Sequence, residues 1–208
     1  MTPGPVNLEG RWPLAQATGL RDRLVAAYAD PGRGYHDLLH LEEVLTRLEE
    51  LRAHGVGFDP VTVPLAAWFH DAVYDGRPGA EERSALWAED ALPGAGVLPA
   101  EVAEVARLVR LTERHDPDAA DLDGAALCDA DLAVLASPAL RYRAYTDGVR
   151  REYAAVPEPA FRAGRAALLR QLLDRPQLFR TAHARSHWEP AARDNVTREL
   201  ASLSDSPG

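Results

Sequence analysis

Between its Pro and Gly breaks, this chain repeats apolar residues three and four positions apart. Strand-like alternation never lasts beyond a few residues. That spacing calls for helices packed on helices, an all-α fold. Apolar stripes predict helices over 12–28, 61–74, 81–92, 100–114, 125–135, 138–156, 159–173 and 177–203, the last broken near Ser186. A further helix follows Asp37, whose carboxylate suits an N-cap, and carries the stripe Leu41, Val44, Leu45, Leu48 and Leu51. Residues 1–11 read as a Pro/Gly-rich arm, 12–203 as one domain, and 204–208 as a loose tail.

One of these helices contains a physical oddity. His70 and Asp71 sit side by side within Ala66-Ala67-Trp68-Phe69-His70-Asp71-Ala72-Val73-Tyr74. Burying an imidazole and a carboxylate costs several kcal/mol unless both find partners. A metal ion satisfies both. His40 lies one turn before Val44, on or near the inward face of its helix, and Asp131 lies in the apolar setting of Cys128-Asp129-Ala130-Asp131-Leu132. His40, His70, Asp71 and Asp131 are therefore the expected ligands of a divalent ion: Mn, Fe, Co, Ni, Zn or Mg. Asp129 is expected as a helix cap or as a support for the ligands. Four protein ligands leave positions for water and substrate, as catalytic rather than structural sites do.

Composition narrows the chemistry. The net charge is −9, and the basic residues are all arginine. No long-range attraction draws duplex nucleic acid to such a surface. A small phosphorylated molecule remains an admissible partner, held by local arginines and a metal. The single cysteine, Cys128, leaves no internal disulfide. With no signal-peptide pattern at the first residues and no membrane-length apolar run, the expected location is the cytoplasm.

The ordered set His40, His70-Asp71 and Asp131 resembles the HD-domain superfamily of metal-dependent phosphohydrolases. The surrounding residues extend the likeness to a bacterial family of HD phosphohydrolases named by prediction. They are Tyr35-His36, the stretch from His70 to Asp75, Glu81-Glu82-Arg83-Ser84-Ala85, Arg150-Arg151-Glu152-Tyr153 and Gly164-Arg165. The resemblance implies an HD-domain bundle of about five core helices with additional C-terminal helices. It implies a hydrolase that attacks phosphate esters with metal-activated water, with a nucleotide as the commonest substrate, and it leaves room for a homodimer. It also raises the option of a second ion. His115 is the one histidine between the doublet and Asp131, so it is expected as a catalytic or substrate group or as an outer-sphere support of a ligand.

The remaining candidates carry two readings each. Asp75 and Glu82 are general acid or base groups, or carboxylates at helix ends in solvent. His36 shares a face with His40 and reaches the metal or substrate if the helix extends that far; if Asp37 is the cap, it is a loop residue. Arg150 and Arg165 clamp a phosphate, or they form buried ion pairs with Glu152 or with the acidic loop at 116–123. Two other functional classes share the ligand set: a di-iron oxygenase on the HD fold, and a non-catalytic metal- or nucleotide-binding sensor.

Overall fold

The computed structural model describes residues 8–204, and among them the secondary structure is entirely helical. The α-helices are α1 (Thr18–Tyr28), α2 (Leu38–Ala53), α3 (Thr62–Phe69), α4 (Ala80–Ala91), α5 (Pro99–Leu111), α6 (Leu122–Leu132), α7 (Ala139–Glu152), α8 (Glu158–Asp174), α9 (Ala182–His187) and α10 (Glu189–Ser204). Short 3-10 turns sit at Glu9–Arg11, Pro93–Ala95 and Ala133–Ala136.

The core is built around α3. Its sequence, Thr-Val-Pro-Leu-Ala-Ala-Trp-Phe, has no polar face, and such a helix must be enclosed on all sides. Helices α2, α4, α5 and α6 supply the enclosure. The stripe Leu41, Val44, Leu45, Leu48 and Leu51 of α2 is buried, as are Val102, Val105, Ala106, Leu108 and Val109 of α5. A second layer, formed by α8, α9 and α10, joins the core through the 3-10 turn after α6 and through α7. No helix among the described residues is long and apolar enough to cross a membrane.

Several boundaries differ from the sequence expectation, each for a local reason. The first helix begins at Thr18 rather than at residue 12, because Trp12 leaves the helical path to pack edge-on against Trp68, with centroids 5.1 Å apart. Within the arm expected over 1–11, Leu8 and Arg11 are docked on the fold instead. Leu8 is buried, and Arg11 donates to the Glu42 carbonyl and to Thr46. Residues 1–7 and 205–208 lie outside the described residues. The last expected helix has its break, at Trp188 between α9 and α10, but starts late, at Ala182, after an extended piece. Asp129 accepts hydrogen bonds from the Arg180 and Thr181 amides, and Glu189 accepts from those of Leu178 and Phe179, so this backbone is not available to a helix.

The loop between α1 and α2 crosses α7 at two glycines. A Cβ on Gly148 would sit 2.6 Å from the Gly34 carbonyl oxygen, and one on Gly34 would strike the Gly148 carbonyl. Backbone meets backbone there, so no side chain can move aside. Gly148→Ala is expected to destabilise the fold by about 2–3 kcal/mol. The shift of the urea midpoint relative to the parent measures this, and an unshifted midpoint would refute the crossing.

Candidate metal centre

Helix α3 stops one residue before the doublet, and the expected helix over 61–74 is corrected accordingly. The stop is chemical. The His70 ring points back along the chain and its Nδ1 bonds the Ala67 carbonyl at 2.7 Å. That carbonyl is the acceptor Asp71 N–H would use in a continuing helix. Displaced from it, the Asp71 amide donates to the Tyr28 hydroxyl at 3.2 Å, and the Ala72 amide makes a tighter turn to Phe69. Because Nδ1 carries the proton toward Ala67, Nε2 is the nitrogen turned inward, a ligand once its own proton leaves.

Two imidazoles and the carboxylate of Asp131 meet there, with Asp71 against the imidazoles. His40 Nε2 lies 3.1 Å from His70 Nε2, 3.3 Å from Asp71 Oδ2 and 3.2 Å from Asp131 Oδ1. His70 Nε2 lies 3.1 Å from Asp71 Oδ2 and 3.6 Å from Asp131 Oδ1. Bonds of about 2.1 Å to a common ion place neighbouring ligand atoms about 3.0–3.4 Å apart. His40, His70 and Asp131 form a mutual group within 4.8 Å and can hold a metal ion. Asp71 stands just outside that mutual group, although its oxygen touches both imidazoles. The donor set of imidazole nitrogen and carboxylate oxygen, with both histidines fully buried, fits a divalent transition ion.

The electrostatics agree with the donor set. Burial alone would lower the His40 pKa, but hydrogen bonds to Asp131 and Asp71 outweigh it and raise it to about 9. The His70 pKa is likewise pushed well up, against its burial, by the charges of Asp71 and Asp131. Burial pushes both carboxylates up, but the His70 charge overcomes it and holds them well below their usual range. A field that retains protons on two buried imidazoles favours a divalent cation in their place, and binding then releases protons.

A supporting ring holds this group. Asp37 caps α2 and accepts from the Leu39 and His40 amides, fixing His40 in the first turn. Arg33 donates to the carbonyls of His36, Asp71 and Ala72 at 2.7, 2.7 and 2.9 Å, and its guanidinium lies over the Tyr28 ring. Glu152, at the end of α7, accepts from three successive amides, Gly34, Tyr35 and His36, and its other oxygen lies 2.8 Å from His36 Nδ1. Burial would raise the Glu152 pKa, but His36 and the amides lower it to about 2. Arg33, Tyr28 and Glu152 were not assigned this role from sequence. Arg33 reads as part of a helix-breaking loop, and Glu152 as an arginine partner. Arg33→Lys keeps the charge but cannot reach three carbonyls. Its metal dissociation constant is expected to rise about 10- to 100-fold. Competition with a metallochromic chelator reads that constant, and parental affinity would show that the clamp does not support the ligands.

The other predicted residues divide. His36 is a loop residue, as the Asp37 cap requires. It nevertheless reaches the site, stacked on Tyr74 at 4.0 Å between centroids and edge-on to His40. His115 also joins the site, with Nε2 2.7 Å from Asp131 Oδ2. It sits in the left-handed region at φ 50°, pinned by Arg175, which donates to the His115 and Arg114 carbonyls. A non-glycine residue there is strained, and the strain aims the ring. With its Nε2 on Asp131, His115 supports that ligand.

Asp75 and Glu82 are not brought to the site, and their expected acid/base role is corrected. Asp75 makes a two-pronged pair with Arg83, and Glu82 one with Arg110, both in solvent. Each arginine holds its carboxylate below the usual range, so neither is a proton donor near neutral pH. Glu81, beside Glu82, faces the cleft instead. Arg150 is also corrected: it binds Glu158 and the Tyr153 and Val156 carbonyls, closing the α7–α8 turn. Arg165 lines the cleft but is spent on Glu199 and the Tyr145 hydroxyl, a buried ion pair whose partner is neither Glu152 nor the acidic loop. Asp129 caps neither its own helix nor a ligand; it anchors residues 180–181.

The ligands open into a cleft of about 930 Å³. Asp71, Asp131, His36 and His115 lie at the metal end, and α7 and α8 form the facing wall. Comparison of the chain with protein-family models, with curated proteins and with solved structures finds no match in any of the three.

Proposed function

We propose that the protein is a metal-dependent phosphohydrolase that cleaves a small phosphate ester, a phosphomonoester or nucleotide, in an HD-type helical bundle. The observation that carries this reading is the meeting of ligand atoms of His40, His70 and Asp131, from α2, the end of α3 and α6, within 4.8 Å of one another, with Asp71 Oδ2 against both imidazoles, at the head of a cleft. The sequence resemblance stated above points the same way. A bound divalent ion would supply water activated near neutral pH and polarise a phosphoryl oxygen. His40, His70, Asp71 and Asp131 would hold it. His115 would steady Asp131 and leave that carboxylate's Oδ1 for the ion. His36, with Nδ1 engaged by Glu152, would present its other ring nitrogen to the cleft, where it can give a proton to the leaving oxygen. Tyr28 and Arg33 would fix the doublet.

The test is metal analysis of the purified chain followed by a phosphatase and nucleotidase screen with added Mn, Co, Ni, Mg and Zn. The expected result is about one ion per chain and turnover of at least one phosphate ester. Stoichiometric metal with no turnover of any ester across the panel would overturn the hydrolase reading. That outcome would favour a binding protein.

A further inference from the structure

The cleft is far larger than a phosphate and its walls are not alike. The α7–α8 side is contributed by Val149, Tyr153, Val156, Phe161, Leu168 and Leu172. Tyr153 and Leu168 are 47% and 46% exposed, large apolar groups left open to solvent beside a metal centre. Exposed apolar groups gathered along a concave wall mark a place where apolar surface is buried on binding. The polar inventory of that wall is small. Arg165 is consumed by Glu199 and Tyr145, Arg175 donates to the His115 and Arg114 carbonyls, and the other polar groups there are the Gln171 amide and the Tyr153 hydroxyl. A nucleobase needs fixed partners for its polar edge, and a site without them leaves those groups desolvated and unpaired.

Charge argues in the same direction. Asp71 and Asp131 offset a divalent ion. Among the other cleft residues, Arg165 is paired with Glu199 and Asp116 with Arg180. Among the remaining lining residues, the two positive charges of Arg114 and Arg175 are matched in number by the carboxylates of Glu81 and Glu113. No surplus of positive charge remains for the several charges of a di- or triphosphate.

We infer that this site takes phosphomonoesters whose organic part is apolar, an alkyl or aryl monophosphate, with the phosphate on the metal and the organic body along the α7–α8 wall. The inference rests on the phosphohydrolase reading for the head group and adds the chemistry of the rest of the molecule. The same ligand chemistry exists as soluble esters and as phosphate-headed lipids. A chain of net charge −9 is repelled by an anionic lipid surface, so the soluble ester is the source assigned.

The test uses the full chain loaded with Mn²⁺, and calorimetric titration with non-hydrolysable phosphonates, so that binding is read apart from turnover. Affinity is expected to rise from methyl- to butyl- to hexylphosphonate by up to about fourfold per methylene. Hexylphosphonate should bind at least about tenfold more tightly than the methylene analogue of ADP. Leu168→Asp should reduce the hexyl-to-methyl affinity ratio at least about fivefold. Equal affinity for methyl- and hexylphosphonate, tightest binding of the ADP analogue, or an unaltered ratio in Leu168→Asp would each overturn the inference. Turnover of nucleotides in those cases would leave the hydrolase reading standing. Selective hexylphosphonate binding with no hydrolysis of hexyl phosphate would uphold the ligand class and overturn the hydrolase. Co-sedimentation with phosphatidylcholine vesicles that carry phosphatidic acid, absent with plain phosphatidylcholine, would overturn the soluble source.

Discussion

His70→Ala is expected to leave the chain without a stoichiometric divalent ion and to reduce phosphate-ester turnover about a thousandfold or more, while the far-ultraviolet dichroism stays helical. His70 Nε2 is central to the ligand group, within 3.1 Å of both His40 Nε2 and Asp71 Oδ2. Its removal leaves one imidazole and two carboxylates that repel each other in a buried space. Helical content survives because α3 is held by its apolar surface, which the substitution does not touch. Asp71→Ala should behave in the same way. Metal stoichiometry after gel filtration decides the matter, and parental metal content in both variants would mean that the ion binds elsewhere.

Glu152→Ala carries the second large effect, and it falls on stability. The carboxylate accepts three backbone amides and faces the His36 ring, and its side chain is almost wholly buried. Alanine leaves these donors without an acceptor, at an expected cost of about 3–5 kcal/mol. The pH dependence follows from the depressed pKa. Glu152 titrates near 2 in the fold and at its ordinary value of 4.5 unfolded. Its stabilisation is therefore complete above about pH 4.5 and is lost as pH falls through about 2. The gap in unfolding free energy between parent and variant should narrow by roughly half from pH 7 to pH 3. Urea melts at the two pH values measure it. A gap below about 1 kcal/mol at pH 7, or one that does not change with pH, would show that the carboxylate does not organise the loop.

The helical architecture and the cluster of His40, His70 and Asp131 were legible because both depend on local pattern. Leu41, Val44, Leu45, Leu48 and Leu51 repeat at helical spacing and are buried together, and α3 betrays its position by lacking any polar residue beyond Thr62. His70 and Asp71 stood out because their neighbours are apolar. What could not be read locally are the contacts that join distant segments. Glu152 reaches Gly34 across more than a hundred residues, and Arg33 reaches Asp71 across 38. Nothing in Arg-x-Glu-Tyr or Pro-Gly-Arg-Gly announces such a partner. Asp75 and Glu82 failed as acid/base candidates because nearness to the doublet in sequence does not set direction. The chain turns at 75–79, and both side chains meet arginines in solvent. Glu81, one residue from Glu82, takes the inward direction because helix α4 rotates about 100° per residue.

The hydrogen bond from His70 to the Ala67 carbonyl also bears on how metal preference could evolve. Ion selectivity is usually retuned by exchanging one ligand type for another, carboxylate or thiolate for imidazole. At position 70 such an exchange would free the Ala67 carbonyl, let α3 take another residue, and swing Asp71 about 100° around the helix axis. A single substitution there would alter two ligands and the stop signal of the central helix together. The routes open to drift are His40 on α2 and Asp131 with its companion His115, which lie outside α3. Variants with altered ion preference, selected from random libraries, should therefore concentrate at those three positions and leave His70 intact.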